Sequence, residues 1–351
     1  MFVFALFCLG MSFVIYTLAP QTVGDTARRH LLCQLQTHYE NHTVSIRRGH
    51  FDPKVGFIFE DLRISDASPS TFSFRSREMV RIERLTVLTD IQPEKLLDQK
   101  NPLKTRRIIL DGVHANVWLN EAGDPSLYDL MPMPKMGPVA PRMEMRRVRV
   151  NLVDGQSKKR PVTAELEELL LVNTPAADGT VDKSITFRGS ADFANDLLVQ
   201  IDTRGKSIDL RCAVNGAFLS RDLFDRLPAK WTAMTKHVQE LQCMCDASLA
   251  LHQSADGQLN YKLRTTVHDG RFAHPSLPKP ISQLRGIVAC DPGGISITAL
   301  QAHFGDAVVR LAGRIHGHQW PCRTDLNVTT RGLLLDERLA SSLPPNMQTA
   351  W

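Results

Sequence analysis

The chain contains no GxxxxGK(S/T), HExxH or GxSxG segment, and no GxGxxG in a strand-turn-helix context. Those absences remove the phosphate-cradling loop, the zinc-peptidase helix and the hydrolase nucleophile elbow. Cysteine is sparse. The seven residues (8, 33, 212, 243, 245, 290 and 322) include no CxxC pair, which argues against a disulfide scaffold or a zinc knuckle. Cys8 falls in an apolar run and Cys212 at an apolar position of an alternating segment, so both read as small buried hydrophobes. Cys243 and Cys245 near His237 lack a second ligand pair. Cys290 and Cys322 can pair only in an oxidising compartment. His316 and His318 followed by Cys322 are the nearest approach to a metal or enzymic cluster, but they fall at a strand end plus turn, where polar residues are ordinary. Asp222 and Asp225 beside Arg226 read as a solvated helix face. The expectation is no catalysis, no cofactor and no bound metal.

Strong charge of one sign is also missing. The net charge is +5, and residues 100–160 hold 12 Lys/Arg against 6 Asp/Glu, so the basic excess is local. The basic stretch 142–160 has no interleaved aromatics for base stacking, so nucleic acid is not an expected partner. Such a patch suits either a solvated strand face or anionic lipid headgroups. From Met1 to Gly24 there is no charged residue at all, and Phe2–Leu18 is almost wholly apolar. Seventeen helical residues rise roughly 26 Å, enough to cross a hydrocarbon core with Tyr16 at the interface. A cleaved signal peptide needs a basic start and a small-x-small site, and Pro20 crowds the only candidate. A retained transmembrane anchor at 1–24 is therefore expected. Arg28, Arg29, Arg47 and Arg48 follow the span, which by the positive-inside rule favours a cytoplasmic body. The rule weakens for long translocated domains, and an exported body is the expectation.

What the sequence has in quantity is period-two alternation. After an amphipathic helix over Thr26–Tyr39, strands are predicted around Val113, Ala115 and Val117, and around Val148, Val150 and Leu152 after a bulge at Arg146–Arg147. Further strands are predicted at Ile208, Leu210, Cys212 and Val214, at Leu259, Tyr261 and Leu263, and at Val309, Leu311, Gly313 and Ile315. Each has one apolar and one wet face, the mark of antiparallel sheets. The predicted organisation is an anchor at 1–24, a β region at 25–131, a Pro-rich linker at 132–142, a β repeat at 143–245 carrying a helix over 219–244, and a second repeat at 246–351. The repeat is visible as a shift of 116. Asp209, Leu210, Cys212, Leu219, Leu223, Leu227 and Pro228 fall on Asp325, Leu326, Val328, Leu335, Leu339, Leu343 and Pro344. The second copy stops soon after its Pro, as a truncated repeat of a longer array would.

Three phrases resemble a known family. Val44-Ser45-Ile46-Arg47-Arg48-Gly49-His50-Phe51 leads to Gly56-Phe57-Ile58-Phe59-Glu60-Asp61-Leu62-Arg63-Ile64-Ser65. Ile108–Val113 runs through Val117-Trp118-Leu119 to Gly123 and Leu127–Leu130. Gly270–Ile281 with Leu284-Arg285-Gly286-Ile287-Val288, then Phe304-Gly305-Asp306-Ala307 and Leu311–Ile315, form the third. Together they resemble the AsmA-like envelope proteins, which include the TamB-type translocation and assembly factors. The resemblance implies an elongated, twisted, mainly antiparallel β-structure anchored in the inner membrane by one span and facing the periplasm. It implies an apolar concave groove for phospholipid or other acyl chains, serving lipid transport or outer-membrane assembly, possible envelope-protein partners, and no catalysis. The candidate groove residues are Val113, Val117, Val148, Val150, Leu152, Ile208, Leu210, Val309, Leu311 and Ile315. Three alternatives stand beside it: a scaffold whose β-repeats bind envelope proteins without lipid, an enzyme with a site around His316, His318 and Cys322, and a closed sandwich or barrel in which the same faces are simply core.

Overall fold

A computed structural model describes residues 21–67, 78–89, 105–118, 126–130, 141–153, 160–175, 181–227, 240–275, 277–318 and 322–334. The expected anchor span, most of the Pro-rich linker, residues 228–239 and the end of the second repeat lie outside them. Among the described residues no helix is long and apolar enough to cross a membrane. The protein is mainly β, with two compact units, Met1–Lys158 with Thr163–Pro175 and Lys159–Val162 with Ala176–Trp351.

The first unit begins with helix α1 over 21–38, close to the expected Thr26–Tyr39. Strands β1 (His42–Asp52), β2 (Gly56–Asp66), β3 (Glu78–Thr89) and β4 (Thr105–Trp118) pair antiparallel in chain order. A 3-10 turn (Ser126–Leu130), β5 (Arg142–Val153) and β6 (Val162–Pro175) follow. The pairing of β4 with β5 is parallel, a departure from the uniformly antiparallel expectation. Its cause is connection length: the chain between Trp118 and Arg142 is long enough for the crossover that parallel neighbours need. This pairing places β5 in the first compact unit.

Alternation in this unit survives two phase slips, each taken up by a residue in left-handed backbone while the strand register stays continuous. At the first, Asp61 adopts φ 55°, so Phe57 and Phe59 share a face with Leu62 and Ile64. Its carboxylate accepts from Arg63 and Arg81 at 2.8–3.0 Å, and the Arg63 guanidinium above all holds its pKa below the ordinary value. The second is the one the sequence marked: Arg147 has φ 50° beside Gly112 at φ 66°, and Arg147 donates to Asp111 and Glu83. The resulting face runs in register as Val44, Ile64, Val80, Ala115 and Val150, with Ile46, Leu62, Ile82 and Val113 beside it. Leu35 of α1 and Tyr39 just after it are buried as well, and Tyr39 donates its hydroxyl to the Leu130 carbonyl. Near the helix start, Gly24 lies so close to Gly49 and His50 that a Cβ there would sit 2.3 Å from the His50 Cα. Arg28 donates to the Ile46 carbonyl, so α1 lies against β1.

The second unit is a meander of β7 (Val181–Ala191), β8 (Ala194–Arg204), β9 (Ser207–Ser220), β10 (Glu240–Gln253), β11 (Leu259–Ala273), β12 (Ile281–Asp291), β13 (Gly294–Phe304), β14 (Ala307–His316) and β15 (Arg323–Arg331). All neighbours are antiparallel. Among the described residues β15 does not return to pair with β7, so these strands do not close into a barrel. Of the expected helix over 219–244, the described residues keep only a short piece and lose both ends to strands. Leu219 and Ser220 end β9, α2 covers only Arg221–Arg226, and Glu240–Met244 already belong to β10. Leu241, Cys243 and Cys245 alternate, and pairing with both β9 and β11 satisfies their backbone, which outweighs helical spacing. The short helix is capped by Ser220, whose hydroxyl accepts from the Leu223 N–H at 3.2 Å, and Leu223 is buried.

Candidate apolar binding face

Antiparallel partners directly opposite one another point to the same side of a sheet, so the register of the second unit fixes its faces. Phe187, Val199, Cys212 and Leu249 stand in one row across β7–β10. The row continues as Leu263, Cys290, Ile295 and Ile315 across β11–β14. Beside it run Ile185, Ile201, Leu210, Leu251 and Tyr261. Eight strands at about 4.8 Å spacing make an apolar row roughly 34 Å long. The opposite face carries Arg188, Leu198, Ala213, Ser248, Arg264, Ala289, Ser296 and Arg314 in the corresponding row.

In the apolar row only Val199 is buried; the other side chains are half-buried. Within the second unit α2 contacts β9 and β10 at one end of those strands, and each described strand contacts mainly its sheet neighbours. A small packed cluster of Ala194, Ala217 and Cys245 with Phe193 and Leu219 lies at that end. No layer of described strands lies over the rest.

The candidate groove residues divide between the two units. Val113, Val117 and Val148 are buried at 6%, 9% and 5% exposure. Val150 and Leu152 are half-buried, opposite Ala115 and Val117 of the same unit. Ile208, Leu210, Val309, Leu311 and Ile315 are half-buried and lie on the apolar face of the second unit. Phe187, Val199, Ile201, Leu249, Leu251 and Ile295 belong to that face but were not singled out from sequence. Their signal was the same alternation, in Ile185–Phe187 and Leu249–Leu251, within segments that lacked a neighbouring motif.

Four histidines of this unit are engaged locally. His252 Nδ1 lies 2.7 Å from Asp209, His268 Nε2 2.6 Å from Asp246, and His316 Nε2 2.9 Å from Asp325. The Gly216 N–H, followed by His268, holds the Asp246 carboxyl below its ordinary pKa; His316, followed by Arg323, does so for Asp325. His318 Nε2 sits 2.7 Å from the Asp291 carbonyl and 3.0 Å from the Tyr261 hydroxyl. A carbonyl only accepts, so this nitrogen carries the proton and its lone pair is not offered to a cation. The structure therefore gives His316 and His318 separate partners instead of a shared site with Cys322. Among the described residues no group of three or more His, Cys, Asp or Glu is placed to hold a metal ion. His237 lies outside them.

Burial pushes the Cys243 thiol up to about 11, with Cys245 and Asp269 adding to the shift, and burial also raises Cys245 and Cys212. These thiols stay protonated at neutral pH and pack as small apolar groups. Cys290 and Cys322 are free thiols, so the conditional pairing is not formed. No protein-family model matches the chain, and no curated protein matches it.

Proposed function

We propose that the open face of the second unit binds the acyl chains of phospholipids or other lipids without catalysing a reaction. The observation that carries this reading is the apolar row from Phe187 to Ile315, half-buried along nearly its whole length with no described layer over it. Apolar area in water costs about 25 cal/mol per Å², and each acyl methylene buried against it contributes about 0.8 kcal/mol. A row of that length accommodates a whole extended acyl chain, so ten covered methylenes contribute about 8 kcal/mol before ordering costs. The face has no polar cluster at its centre that would select a headgroup or a peptide, and it fits a long, flexible, chemically uniform hydrocarbon. The dry Val113–Val148 region of the first unit is core in this reading, and α1 with the preceding apolar run tethers the protein to the cytoplasmic membrane. With the body in the periplasm, the function is lipid transport or outer-membrane assembly and homeostasis, as a concave groove of the AsmA-like kind would provide.

The test is native mass spectrometry with lipid extraction on the full chain in mild detergent. Co-purifying phospholipid, retained after detergent exchange, is the expected result. A folded, lipid-free protein that also takes up no added phospholipid overturns the reading and favours a protein-binding scaffold.

A further inference from the structure

We propose that β15 is a self-complementary edge through which two copies of this chain pair antiparallel about Asn327, joining their second units into one sheet. The inference is independent of lipid binding. Three observations carry it. First, among the described residues β15 is paired on one side only, with β14, and each of its nine residues is exposed. Second, the edge is weakly protected: Arg323–Arg331 contains no Pro and no Lys, its register with β14 is continuous without a bulge, and its charges stand at Arg323, Asp325 and Arg331, away from the central Leu326–Val328. Third, its sequence, Arg-Thr-Asp-Leu-Asn-Val-Thr-Thr-Arg, reads nearly the same in both directions.

Antiparallel pairing about Asn327 sets Leu326 opposite Val328 of the second copy twice over, Thr324 opposite Thr330, and Asn327 opposite itself. Leu326 and Val328, 39% and 59% exposed, lie on the apolar face through their partners Gly313 and Leu311. Cross-strand apolar and Thr–Thr pairs are favourable units of sheet pairing. The one unfavourable match is Arg323 against Arg331. Asp325 relieves it, since it already holds Arg323 at 3.3 Å and falls diagonal to the second copy's Arg331. Pairs across one two-fold axis keep equivalent faces on the same side, so the two apolar faces become continuous.

The experiment uses the full chain in mild detergent, with dimerisation followed by analytical ultracentrifugation and native mass spectrometry. Wild-type protein dimerises reversibly, in the micromolar range expected of a small interface. The double variants Leu326→Lys/Val328→Lys and Leu326→Asp/Val328→Asp each weaken the dimer about tenfold or more, because like charges then stand opposite. Mixing the two variants restores a mixed dimer. Asn327→Cys cross-links to itself on mild oxidation well above wild type, while Thr330→Cys, which faces Thr324, does not. Circular dichroism and hydrogen exchange in β14 confirm that each variant is folded. A wild-type protein monomeric at about 100 μM, a dimer unaffected by both charged variants, or Asn327→Cys cross-linking no better than Thr330→Cys overturns the proposal.

Discussion

Leu210→Asp separates an open apolar face from a closed one. Leu210 lies between Ile201 and Leu251 and is half-buried by lateral neighbours. Replacing it with Asp removes apolar contacts worth about 1–2 kcal/mol, since full burial of a leucine is worth about 1.5–3 kcal/mol. On an open face the new carboxylate reaches water, so that loss is nearly the whole cost and the second unit stays folded. If protein covered the face, the carboxylate would be buried unpaired at a cost of several kcal/mol, and the second unit would unfold. The matched control is Ile108→Asp in β4, a position with 0% exposure, where no route to water exists and the first unit is expected to lose its structure. Acyl binding responds in the opposite sense. A chain lying across the row must desolvate the carboxylate, so affinity falls about a hundredfold or more. The assay is hydrogen-exchange mass spectrometry, which reports the two units separately, with titration of a fluorescent acyl probe. Unfolding of the second unit by Leu210→Asp, or a folded variant with unchanged probe affinity, refutes the reasoning.

Other outcomes follow from single contacts. Gly313 has φ 141°, and a Cβ there would sit 2.1 Å from the Asp325 carbonyl, so Gly313→Ala costs about 1–3 kcal/mol, read as faster exchange in β14 and β15. Ser220→Ala removes the α2 cap and costs about 1 kcal/mol, with faster exchange confined to Arg221–Leu227. The Asp61 carboxyl has its folded pKa lowered by Arg63 and Arg81, so its stabilisation is complete above the unfolded carboxyl value and is lost as pH falls through the folded one. The first unit should therefore weaken below about pH 4, and Asp61→Asn should flatten that acid limb in pH-dependent thermal unfolding.

The two units differ more in burial than in pattern. Val113 and Leu210 each stand on the apolar side of their own alternating strand, yet the first is dry and the second half-buried. The apolar rows of the first unit are buried together with Leu35 of α1 and the adjoining Tyr39, whereas α2 in the second unit is six residues long and reaches only the ends of β9 and β10. Area left uncovered in this way is what a hydrophobic ligand can occupy.

Alternation alone determined that this is a β protein, and it determined which residues of each strand share a side, because successive strand side chains necessarily point to opposite faces. It located β4, β5, β9, β11 and β14 and the phase slip at Arg147, which the structure takes up with the register unbroken instead of by the expected bulge. Local spacing did not determine the fate of residues 240–244, since a leucine series with intervening polar residues fits a helix until β9 and β11 are in place to take up its backbone groups. Nor did it distinguish the parallel pairing of β4 and β5, which depends on where a long connection returns. Above all, a strand's apolar side reads the same whether a helix, another sheet or nothing lies over it. Burial depends on residues distant in sequence, so only the tertiary structure decided that the first unit's face is dry and the second's stays half-exposed.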